Sequence, residues 1–288
     1  EAVGPVDAAI PQARRVFAPA SPPPTGVTRL PATFRDRTII VDTGIDGHRG
    51  GFVLDTGTAS ITLDRDVAER YGLETVLEHA TVPRLTVGPL ALLNASTLAI
   101  PLHFDRSIAG ILGYDFFLGH VVHVDYAGER VEVLTPAAAA PAFADPRATI
   151  VDGYFDEGLP LVHAEFGNAT GDRFALDTGS PHLLVLAPFE RRYRAQIDAL
   201  WSAVGLGRTA EEQYLEGSIR ISARRVAAFS LAGIRFTDVL VGIEERNDRA
   251  DAIDIPLDGI IGTDEMAFYE WWFDYDGGRI AVRRNNVR

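Results

Sequence analysis

Gly51–Gly57 reads GFVLDTG, and Asp172–Gly179 reads DRFALDTG. Each is an apolar run that ends in Asp-Thr-Gly, and each is followed by a hydroxyl residue, Thr58 or Ser180. Further on, Ile108–Tyr114 reads IAGILGY and Leu257–Thr263 reads LDGIIGT. After these come Val121–Tyr126 (VVHVDY) and Trp271–Tyr275 (WWFDY), and then closing strands at Arg130–Leu134 and Arg279–Arg283. The same parts recur in the same order, so the chain reads as a duplicated unit. The copies are unequal in length: Asp55 to Gly113 spans 58 positions and Asp177 to Gly262 spans 85. The excess in the second copy is assigned in part to a helical stretch, Pro188–Val204, against a shorter helix at Asp64–Tyr71 in the first.

Between these marks the pattern is that of short strands. Thr38–Thr43 and Phe52–Leu54 flank the turn pair Asp46-Gly47, and Leu161–Phe166 and Phe174–Leu176 flank Gly167-Asn168. The expected fold is all-β, with a few short helices. The domain reading is an Ala/Pro-rich tail at 1–26, a first lobe at 27–136, a linker at 137–147 and a second lobe at 148–288. The tail and the linker are marked by APASPPP at Ala18–Pro24 and TPAAAAPAFADP at Thr135–Pro146.

Composition excludes several classes. The 288 residues are 47% hydrophobic and 23% charged, enough for two packed domains. The net charge is −13 with no basic stripe, so neither nucleic acid nor an anionic membrane is an expected partner. With no Cys, thiolate chemistry and disulfides are out. No apolar run approaches the roughly 18 residues that span a bilayer. The chain begins at Glu1, so a leader is either removed or left out of the sequence given, and an exported protein is the expectation. His48, His103, His120, His123 and His163 show no metal-ligand spacing, and no metal or cofactor is expected. There is no P-loop, no dinucleotide fingerprint and no GxSxG.

A carboxylate followed by Thr-Gly at a strand end has a chemical logic. Gly lets the chain turn tightly and brings backbone N–H groups to the carboxylate, and a neighbouring hydroxyl can fix it further. A single such motif is an ordinary turn. Asp42–Gly44 is a third DTG, but it has no counterpart in the second copy, so Asp42 is read as structural or surface. Asp55 and Asp177 match each other.

On these residues, FVLDTGT with GILGYDFF and FALDTGS with GIIGTDEM, the chain resembles the pepsin–retropepsin superfamily of aspartic peptidases. It is closest to bacterial retropepsin-like members with two DTG lobes in one chain. The resemblance covers residues from about 28 to 288. It implies a bilobal acid-protease fold of two β-barrel-like lobes related by a pseudo-twofold axis, with Asp55 and Asp177 meeting as the catalytic pair. It implies that Thr56 and Thr178 lock the two loops across the axis beside Gly57 and Gly179, and that Thr58 and Ser180 bond the outer carboxylate oxygens. Ile111-Leu112-Gly113 and Ile260-Ile261-Gly262 would brace the loops from beneath. Peptide or protein would be the substrate, with no second copy needed for catalysis.

Three features stay open. Gly205–Gly217, with Tyr214, is either a mobile flap or a surface loop, whereas Glu74–Pro83 in the first copy is short and lacks an aromatic. Residues 1–26 are either a linker or a propeptide in which Arg14-Arg15 meets the aspartates. His182, after Ser180-Pro181, lies either near the cleft or in solvent. Trp271 and Trp272 are expected in the core or at the lobe interface. The alternatives to a general endopeptidase are a non-catalytic binding or scaffold protein on the same fold and a narrow-specificity processing peptidase.

Overall fold

The computed structural model describes residues 17–19, 25–152, 154–156, 158–204, 209–214, 217–247 and 256–285. The fold is mostly β, arranged as two lobes joined by a shared sheet. Each lobe has its own nine-stranded sheet, one built from strands between Ala18 and Leu112, the other from strands between Tyr154 and Ile261.

The sequence duplication becomes spatial in these sheets. In the first, Thr38–Ile45 and His48–Leu54 form a hairpin, and Ile108–Leu112 lies parallel to the second of them, with Leu112 opposite Leu54. In the second lobe, Leu159–Phe166 and Ala169–Leu176 form the hairpin, and Gly259–Ile261 lies parallel, with Ile261 opposite Leu176. Both DTG strands end as fully buried apolar runs, Phe52–Leu54 and Phe174–Leu176. Burial on both faces explains why they read as continuous hydrophobic stretches rather than alternating ones.

The unequal lengths are also located. The helix after the first DTG is Arg65–Arg70, N-capped by Asp64, whose side chain accepts from the Asp66 and Val67 N–H groups. Its counterpart is Ala187–Leu200, 14 residues long, with Pro188 in its first turn. The long hairpin of the first lobe uses strands of 9 and 11 residues, His79–Val87 and Leu90–Ile100. That of the second uses 15 and 14, Gly217–Leu231 and Ile234–Asn247.

A six-stranded antiparallel sheet joins the lobes, with three strands from each half. Its seam pairs Val121–Asp125 with Tyr269–Asp274, so that Val122 faces Phe273 and His123 faces Trp272. One face buries Val122, Val124, Trp271 and Phe273 in the main core. The other carries His123 stacked on Trp272 at 4.2 Å, with its ring nitrogens 3.0 Å from Glu132 and 3.3 Å from Glu270. Trp271 and Trp272 therefore do pack at the core and the lobe seam.

The stretches read as linker and tail carry structure of their own. The stretch read as a linker at 137–147 is largely helix, Pro136–Phe143. Thr135 caps it, Pro136 stands at its first position, and alanines fill it, so the Pro that suggested a linker instead starts a helix. Ala139 and its neighbours pack on Trp272 and Val121. Within 1–26, Phe17 is buried edge-on against Phe116 with ring centroids 5.3 Å apart, and Ala18–Pro19 pairs with Leu90 and Ala91. The tail is thus partly built into the first lobe, because an apolar ring next to a free sheet edge has a site to fill. Arg14 and Arg15 lie outside the described residues, and so does most of the propeptide reading.

Candidate active site

Asp55 and Asp177 sit just past the ends of the two buried strands. Each receives its main-chain position from the strand that crosses beside it: the Asp55 N–H donates to Leu112 O (3.1 Å) and the Asp177 N–H to Ile261 O (3.0 Å). Leu112 in the Ile111-Leu112-Gly113 segment and Ile261 in Ile260-Ile261-Gly262 thus each accept the N–H of the aspartate beside them. Gly113 packs on the carbonyls of Thr58 and Ser60, and Gly262 packs on the backbone of Pro181 and His182, leaving no room for a side chain.

The two loops are tied to each other through their threonines. Thr56 Oγ1 donates to Leu176 O and Thr178 Oγ1 donates to Leu54 O, both at 2.7 Å. In return each hydroxyl accepts the other threonine's N–H, at 3.1 and 3.0 Å. Both side chains are buried, so all four hydrogen bonds are shielded from water. Gly57 lies against the carboxyl of Asp177, and Gly179 against that of Asp55. A Cβ at either glycine would overlap the opposite carboxyl group.

The carboxyl groups of Asp55 and Asp177 are within hydrogen-bonding contact of each other. Their other partners differ. Asp55 accepts from Gly57 N–H at Oδ1 and from Thr58 Oγ1 at Oδ2, both at 2.7 Å. Asp177 accepts at one oxygen, Oδ1, from Gly179 N–H (2.8 Å) and Ser180 N–H (3.0 Å). The expected Ser180 hydroxyl bond is thus corrected: Ser180 serves through its backbone, and its buried Oγ makes no hydrogen bond within the structure. At Asp55 the Gly57 N–H and the Thr58 hydroxyl use different oxygens, whereas at Asp177 both donors, the Gly179 and Ser180 N–H groups, share Oδ1.

Asp177 is 9% exposed and Asp55 is half-buried. Burial pushes the Asp177 carboxyl well above its ordinary value, and the charge of Asp55 pushes it further, against the two N–H groups that favour its ionised form. Tyr126 and Tyr275, the last residues of the VDY and FDY runs, are buried near this pair. Burial raises both phenols, and the field of Asp177 adds to this at Tyr126, while both aspartates act on Tyr275. Neither hydroxyl has a hydrogen-bond partner among the described residues. Their closeness to the aspartates was not foreseen, although their matching place in the repeat was a signal.

The remaining candidates fall elsewhere. Asp42 is exposed on the outer hairpin, as expected. Tyr214 ends strand Thr209–Tyr214 and stands opposite Gly217 of the next strand, so the described part of the stretch at 209–214 is a paired strand; the rest of 205–216 and the Tyr214 side chain lie outside the described residues. Its counterpart is the short hairpin at Thr75–Val76, turned by Leu77 and Glu78 with φ of 47° and 63°. His182 is exposed and its Nδ1 is 2.9 Å from Asp264 Oδ2. Among the described residues no group of three or more His, Asp or Glu is placed to hold a metal ion, and no helix is long and apolar enough to cross a membrane.

No family model matches the chain, and no curated protein sequence matches it. Among solved structures it is similar to the aspartic proteinase from Irpex lacteus, with a TM-score of 0.50 and 12% sequence identity, over 90% of this chain and 98% of that one. At that identity the likeness shows a shared bilobal, pepsin-like fold.

Proposed function

We propose that the chain is an aspartic-type endopeptidase in which Asp55 and Asp177 act as one acid–base pair. The observation that carries this reading is the contact between two carboxyl groups held in place from both lobes by Thr56, Thr178 and the two glycines. Two carboxylates this close cannot both ionise, which is the established behaviour of aspartic-peptidase pairs. One proton is shared, and the greater burial of Asp177 favours keeping it there.

The chemistry follows. Ionised Asp55, fixed by Gly57 N–H and Thr58, takes a proton from a water molecule as its oxygen attacks the peptide carbonyl carbon. Asp177 gives its proton to the carbonyl oxygen, forming a tetrahedral diol. Return of a proton to the amide nitrogen lets the C–N bond break and leaves one carboxylic acid and one amine. Both carboxyl groups belong to one chain, so no second copy is needed.

The test is cleavage of an unfolded protein substrate between about pH 3 and pH 7, the range in which one proton can be shared. Asp55→Asn and Asp177→Asn should each lower the rate by at least about 10²-fold, the scale of an acid–base contribution. Cleavage by either variant at the wild-type rate, or none by the wild type at any pH, overturns the reading. Partner binding without cleavage would then favour a scaffold on this fold.

A further inference from the structure

The two aspartate loops are held from beneath by unlike means. In the first lobe the Tyr114 N–H donates to Thr58 O (2.9 Å), and its ring packs against Gly158 of the other lobe and lies 5.6 Å from the Tyr275 ring. In the second lobe the matching residue is Thr263, whose N–H donates to Ser180 O (2.9 Å), and the next N–H, from Asp264, donates to Pro181 O (2.9 Å). The Asp264 carboxylate then contacts His182 Nδ1 at one oxygen and the Arg37 guanidinium at the other. Arg37 comes from the opposite lobe, at the turn between Ala32–Arg35 and Thr38–Ile45. That turn places Asp36 and Arg37 at φ of 45° and 71°, a left-handed conformation that costs energy for residues with a Cβ.

We propose that Arg37 is a cross-lobe positioning residue: through Asp264 and His182 it holds the 180–182 segment, and so sets how Asp177 is presented to Asp55. The inference rests on the reading of these aspartates as the reactive pair. The geometry is a chain of direct contacts. Asp264 grips residues 181 and 182 by its N–H and its carboxylate, and Ser180, next in line, donates its own N–H to Asp177. The charges around this point are Arg37 from the first lobe, His182 from the loop, and Asp264 and Glu265 on the short helix Thr263–Met266. Without Arg37 the Asp264 carboxylate loses its guanidinium partner beside the buried Glu265. In the first lobe Asp115 stands where Asp264 does and accepts the Ile61 N–H (3.3 Å), but Phe116 takes the place of Glu265, so one acidic side chain stands there instead of two.

The experiment compares Arg37→Met, Asp264→Asn and Arg37→Lys with Arg35→Met. Arg35 lies on the same hairpin but pairs within its own lobe, with Asp105 and Ser107. Amide exchange at Gly179 and Ser180, and the carboxyl titration of Asp177 by carbon NMR, are read on intact protein. In Arg37→Met and Asp264→Asn, exchange at these two amides should rise about fivefold, the scale of a part-exposed ion pair, and the Asp177 titration should move. With substrate, kcat should fall with KM unchanged. Arg37→Lys should recover part of each effect, and Arg35→Met should match the wild type. Wild-type exchange and titration in a folded Arg37→Met protein overturn the proposal, whether or not Asp264→Asn folds. Because these two readouts need no turnover, a failed peptidase reading is seen separately, as absence of cleavage by the wild type.

Discussion

The two lobes place their aspartates with the same backbone scheme and different side chains. Both loops are anchored by an N–H to the crossing strand, at Leu112 O and Ile261 O, and by a threonine that reaches across the axis. Beyond that the first lobe relies on rings: Phe116 is fully buried and meets Phe17, Phe117 and His120 edge-on. The second puts Glu265 at the position of Phe116, buried, with Oε2 unpartnered. Its neighbour Asp264 is tied to charged and polar partners instead of packing. A pseudo-symmetric pair can therefore be made from one mainly aromatic and one ionic support, and the two should respond to pH in different ranges, since burial lowers His120 beside Phe116 to about 4.

The largest effect expected tests what the lobes share. Gly57→Ala and Gly179→Ala should each cost at least about 10²-fold in kcat, because the added methyl displaces the opposite carboxyl group, and misplacement by about 1 Å is worth that much. A variant that retains the wild-type rate would break the claim that the glycines let the carboxyl groups meet. Peptide turnover of the folded variants decides it.

The next prediction sharpens the contrast. Burial, and then the charge of Asp264, push Glu265 from its ordinary value of 4.5 up to about 8. The acid is thus neutral in the native protein over a range where it is ionised in the unfolded chain. The native state binds more protons there, so stability is fullest below about pH 4.5 and is lost as pH rises through about 8. Over that window Glu265 should account for a loss of the order of 5 kcal/mol, read as the difference between wild type and Glu265→Gln in urea unfolding at several pH values. Parallel pH profiles for the two proteins would contradict it. Phe116→Leu should lower stability and leave in place the loss between about pH 4.5 and 8 that Glu265 sets.

The smallest effect distinguishes the residues that follow the two Asp-Thr-Gly runs. Thr58→Ala removes a hydroxyl from Asp55 Oδ2 and should slow cleavage about tenfold, the value of a hydrogen bond to a charged group. Ser180→Ala leaves the backbone N–H on Asp177 and should stay within about twofold, since the lost hydroxyl bonds nothing. Equal losses in the two variants would erase the asymmetry.

By itself the sequence determined the duplication, the hairpins and the identity of the matched aspartates. These are local properties: an apolar run ending in Asp-Thr-Gly is legible wherever it occurs, and its second copy shows that the first is no chance turn. It also carried the unequal spacing, though not how that spacing divides between a longer helix and a longer hairpin. Tertiary structure alone decided that the helix Pro136–Phe143 lies on Trp272 and that Phe17 belongs to the first lobe. It alone brought Arg37 to Asp264 and left Glu265 buried in the place of a phenylalanine. Those outcomes join segments that lie far apart in the chain, and they are set by where strands cross and which volumes remain to be filled. No local pattern of residues encodes that geometry.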